Sequence, residues 1–65
     1  MTKSEIVAAL AILARNGCSY YDLHAVAVVY VRVFGGWLGH PGVLVDEARR
    51  LADDVADIIA NHKED

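Results

Sequence analysis

An all-α fold of three helices is what this sequence predicts, and three observations carry it. Apolar residues recur at three- and four-residue intervals near both ends of the chain. Hydroxyl residues with a carboxylate three positions on precede the first two periodic runs. Glycines and the single proline fall between the runs rather than within the first or the last.

The first helix is expected over about 4–16. Thr2 or Ser4 can serve as N-cap, and Thr2 with Glu5 has capping-box spacing. Ile6, Leu10 and Leu13 form the apolar stripe, widened by Val7 and Ala14. Arg15 suits the negative end of the helix dipole, and Gly17 after Asn16 is a natural left-handed stop.

The second helix, expected over about 20–37, rests on less regular evidence. Ser19 with Asp22 repeats the capping logic, and "YYDLHAVAVVYVRVF" follows without interruption. The valines between Val26 and Val33, with Tyr30 and Phe34, are also strand formers, so an α+β fold with a strand at 26–34 is the alternative. That strand would have only the short "VLV" at Val43–Val45 to pair with. The cap, the alanines and the length of the run favour the helix. On a helical wheel His24, Val28 and Arg32 share a narrow stripe with Tyr21 above it, and nearly all else is apolar. A helix apolar almost all round is a buried one. Two neighbours in a chain of this size cannot cover it, so the sequence predicts burial against a second copy.

The segment "FGGWLGHPG", Phe34 to Gly42, reads as the break before the third helix. Gly35 and Gly36 weaken the second helix, Gly39 allows a left-handed turn, and Pro41 suits a first helical turn. Trp37 is expected to anchor that turn, on one face with Tyr30 and Phe34. As a phosphate-binding loop it lacks the lysine and hydroxyl residues such loops carry. The third helix, expected over about 42–61, is amphipathic. Leu44, Ala48, Leu51, Val55, Ile58 and Ile59 form its stripe, with Asp46, Glu47, Arg49, Arg50, Asp53, Asp54 and Asp57 opposite. Asp46 with Arg50, and Arg49 with Asp53, have ion-pair spacing, and the tail "NHKED" is expected to fray.

Size and composition bound the function. Sixty-five residues make a single domain, of a length that usually needs a staple. Cys18 is the only cysteine, which excludes an intrachain disulfide, suits a reducing, cytoplasmic setting and leaves only an intermolecular bridge. The chain is 55% hydrophobic, more than one small core can hold, and the excess points to a partner surface. A net charge of −3 with six scattered basic residues disfavours phosphate and nucleic-acid binding. No secretory leader is evident, since Glu5 interrupts the N-terminal apolar run.

No motif announces a metal, a cofactor or catalysis. His24, His40, His62 and Cys18 lack the short spacings of zinc sites. Cys18 and His24, six apart, have no visible third residue to orient them as a catalytic pair. The run "ILARNGCSYYDLHAVAVVY" has the helix–turn–helix order of a DNA-binding regulator, the first alternative, but its second helix would offer Asp22 and valines to the groove. A membrane-associated peptide is the second alternative; Leu23 to Leu38 is short for a span and holds Arg32. The acidic face of the third helix could mimic phosphate toward a nucleic-acid-binding protein, but Arg49 and Arg50 break its field.

The expectation is therefore a non-enzymatic interaction or regulatory module that self-associates as a homodimer or higher oligomer and binds another protein. Its candidate interface is Tyr21, Val28, Val29, Tyr30, Phe34 and Trp37. Its size is also that of an accessory protein carried by a phage or mobile element.

Overall fold

The computed structural model describes the backbone of residues 1–63 and the side chains of residues 1–61. Three α-helices, α1 (Lys3–Arg15), α2 (Tyr20–Phe34) and α3 (Pro41–Lys63), are joined by a four-residue turn and by a glycine-rich link that holds one 3₁₀ turn, Gly36–Leu38. No strand occurs among the described residues, so the α+β alternative falls and 26–34 is helical. Tertiary packing of the face that carries Ala27 outweighs the modest helix penalty of the valines.

Each helix boundary has a local cause. Thr2, not Ser4, caps α1: its hydroxyl accepts from the Glu5 N–H at 3.2 Å, and the Glu5 carboxylate accepts from the Thr2 N–H at 3.0 Å. This reciprocal pair satisfies two amides that a helix start leaves orphaned. At the other end the Gly17 N–H donates to the Ala14 carbonyl at 3.2 Å and the Cys18 N–H to the Leu13 carbonyl at 3.1 Å. Those two bonds form a Schellman stop, with Gly17 at φ +86°. Ser19 then caps α2, its hydroxyl accepting from the Asp22 N–H at 3.2 Å.

The link corrects the expected end of α2. The helix stops at Phe34, three residues short of the expected 37, because Gly35 takes φ 95°, ψ 159°. That region of backbone space is open in practice to glycine alone, and no helix passes through it. Gly39, at φ 93°, ψ −160°, leaves the 3₁₀ turn by the same route. Pro41 opens α3, where its missing N–H costs nothing, and the His40 carbonyl accepts from Val43 and Leu44. At its C-terminus α3 runs to Lys63, beyond the expected 61, so "NHK" is helical instead of frayed; Glu64 and Asp65 lie outside the described residues.

One core sits where the three helices meet. Ile6, Leu10 and Ala11 of α1, Leu23 and Ala27 of α2, Leu38 of the link, and Leu44, Val45, Ala48 and Ala52 of α3 are buried. Small residues at Ala11, Ala27, Ala48 and Ala52 let the helix axes approach closely. The α1–α3 contact is the most extensive, and one exposed ion pair, Lys3 Nζ to Glu47 Oε1 at 3.5 Å, fastens its edge. The buried line of α3 ends at Ala52, after which Val55 is half-buried and residues 56–61 are exposed. The last turns of α3 therefore project from the core and account for the 43 × 22 × 14 Å outline.

Candidate interaction surface

The inward face of α2 is supplied by Leu23 and Ala27, with Val26, Tyr30, Val31 and Phe34 half-buried against the core. The opposite face is open and largely apolar. Tyr21 (84% exposed), Ala25, Val29 (56%) and Val33 (67%) follow one another at four-residue steps along it. On an α-helix such positions form a continuous ridge. Asp22 and Arg32 are exposed beside the two ends of this ridge, and Val28 flanks its middle, half-buried.

The candidate interface residues thus divide. Tyr21 and Val29 lie on the open ridge and Val28 lies beside it. Tyr30 and Phe34 turn inward, their rings 6.1 Å apart against the core. Trp37 does not share their face: it is 65% exposed, and Leu38 next to it fills the buried position that the sequence reading gave to the tryptophan. The indole lies over the Gly35 backbone, where an added Cβ would meet its Cδ1 at 3.1 Å. Ala25 and Val33 are the ridge residues that sequence reasoning missed. Valines and alanines on both sides of the wheel obscure which side faces out, and the stripe singled out from it (His24, Val28, Arg32) lies one position round from the exposed one.

A second open apolar area lies on the projecting part of α3. Ile58 (59% exposed) and Ile59 continue the stripe of Leu44, Ala48 and Ala52 beyond the last residue that α1 or α2 covers. Leu51, expected in that stripe, is at its exposed margin.

The polar residues do not converge on a centre. The Tyr20 ring organises one small cluster, edge-on to Tyr21 and stacked with His24, each at 6.3 Å between centroids. The Arg49 guanidinium sits 5.7 Å over the same ring, tying the start of α2 to α3. Lys3–Glu47 is the only ion pair among the described residues, so the expected Asp46–Arg50 and Arg49–Asp53 pairs are not made. An open cleft of about 260 Å³ lies beside this cluster, lined by Ala14, Cys18, Tyr20, Leu23, Arg49 and Asp53. It is below the usual size of small-molecule sites. Cys18 is a free, half-buried thiol at its wall. Among the described residues no three His, Cys, Asp or Glu side chains stand close enough to hold a metal ion; the His62 side chain lies outside them. Nor is any helix among them long and apolar enough to cross a membrane.

Fold and surface together define a class: a three-helix all-α domain whose central helix is apolar on both faces and covered on one. The chain matches no protein-family model, no curated protein and no solved structure.

Proposed function

We propose that this chain is a non-enzymatic interaction module that self-associates through the outer face of α2 and, once assembled, holds another protein. The observation that carries the reading is the exposed ridge of Tyr21, Ala25, Val29 and Val33. Single exposed apolar residues are ordinary on any protein, but a contiguous apolar strip on a small domain marks a contact surface. The unusual apolar content of the chain supports the same reading, since the core accounts for only part of it. Trp37 and the end of α3, outside that ridge, offer the aromatic and aliphatic anchors a protein partner would use. A free, unpaired Cys18 fits a cytoplasmic site of action.

The reading is tested by placing a charge in the ridge. Val29→Asp buries an unpaired carboxylate in the assembly but is exposed to water in the free chain. It should weaken self-association at least about tenfold while leaving the far-UV circular dichroism and the melting of the dilute chain unchanged. Equal association of the variant and the parent chain, measured by light scattering across a concentration series, would remove α2 as the interface.

A further inference from the structure

We infer that the projecting end of α3 is a docking helix for another protein, one that offers an apolar groove rimmed by lysine or arginine. The inference rests on the protein-binding half of the reading above and names the chemistry of that partner. From residue 53 to residue 61 every residue of α3 is exposed except the half-buried Val55. At about 100° per residue, this part of the helix divides cleanly into two arcs. Leu51, Val55, Ile58 and Ile59, with Ala56 and Ala60 beside them, occupy an apolar arc of roughly 200°. Asp53, Asp54, Asp57 and Asn61 fill the remainder, and the sequence holds no lysine or arginine between Arg50 and Lys63. Asp54 borders the apolar arc next to Ile58, and Asp53 borders it on the other side, next to Ala60.

The width of the arc and the charge of its borders decide the occupant. A flat surface covers one side of a helix, whereas an apolar arc wider than half the circumference is covered by a groove. Leu51, Val55 and Ile58 stand at the i, i+4 and i+7 positions through which a helix seats in such a groove. A second copy of this segment is opposed by its charge. Parallel or antiparallel, it sets an acidic border beside an acidic border. An anionic lipid surface and a nucleic acid are opposed for the same reason. A groove with cationic rims meets opposite charge on both sides while its floor takes Ile58 and Ile59. The floor then supplies the burial, and the rims supply the choice of partner.

The test titrates the full chain with a labelled synthetic helical hairpin, leucine along its inner stripes and lysine along both outer edges. The same hairpin with glutamate in place of lysine is the control. Fluorescence anisotropy should give the lysine hairpin a Kd on the order of ten micromolar, and the glutamate hairpin one at least about tenfold weaker. Ile58 is 59% exposed, so Ile58→Ser should leave the far-UV circular dichroism unchanged and weaken the lysine hairpin about tenfold. Val29→Ser, on the α2 ridge, should leave its binding unaltered. Equal binding of the two hairpins, no binding of either, or a loss caused by Val29→Ser and not by Ile58→Ser would overturn the inference. Self-association is read separately, by light scattering without hairpin. Its loss in Ile58→Ser would put a second copy on this face and also overturn the inference. If the chain self-associates and the lysine hairpin fails, the partner chemistry is wrong while the α2 reading stands.

Discussion

At the scale of single residues, neighbours in the chain have opposite roles. Leu38 is 2% exposed at the meeting point of the helices, whereas Trp37 stands in solvent. Leu38→Ala should cost about 2–5 kcal/mol, a large part of what a domain of this size has, and Trp37→Ala under about 1 kcal/mol. Urea unfolding of the two variants at low concentration checks the contrast, and a larger loss for Trp37→Ala would reverse the assignment. Their order was not legible in the sequence, which gave the anchoring place to Trp37 and none to Leu38; only the path of the link decides between them. Glu5 was legible: its spacing from Thr2 foretells the capping box that forms. The Thr2 N–H, and secondly the Thr2 hydroxyl, hold the Glu5 carboxyl below the usual carboxylate range. A depressed folded-state value means stability that is present above the ordinary carboxylate pKa and is lost as pH falls through the lower folded one. The melting temperature of the parent chain relative to Glu5→Gln should therefore decline on acidification below about pH 4, where protonation removes the charge that strengthens the Glu5 cap bond and leaves the neutral glutamine unaltered. A pH-independent difference would mean that the Glu5 charge adds nothing to the cap.

At the scale of elements, the boundaries follow from backbone chemistry and the exposed faces do not. Glycines mark both breaks, so the start of α2 and the start of α3 could be placed within a residue. The end of α2 overran because Trp37 and Leu38 prolong its apolar run, and the signal that stops it is a conformation of Gly35, not a change in polarity. Gly35 is the link's critical position: at φ 95° any side chain is strained, and an added Cβ would crowd the indole at 3.1 Å. Gly35→Ala should destabilise by about 1–3 kcal/mol, far beyond the effect of Gly36→Ala, whose added methyl meets nothing within 4 Å. Thermal melts of the two variants side by side decide this; equal losses would place the strain elsewhere. For α3 the stripe was legible from Leu44 to Ile59, but its length past Ala52 exceeds what two neighbours can cover. That excess is visible only once the helices are packed.

At the scale of the whole molecule, the chain has one small core and two apolar surfaces outside it, the α2 ridge and the end of α3. In the assembly proposed above a second copy would cover the ridge and leave Trp37 and Ile58, both exposed, outside it. Composition alone pointed to a partner; the packed helices say which face is open. The most direct test of this account is the solution mass of the unmodified chain by sedimentation equilibrium, from low micromolar to near-millimolar concentration. The account expects the mass to rise from that of one chain, 7.1 kDa, toward that of two and to level off there. A mass that stays at one chain throughout the range would contradict it.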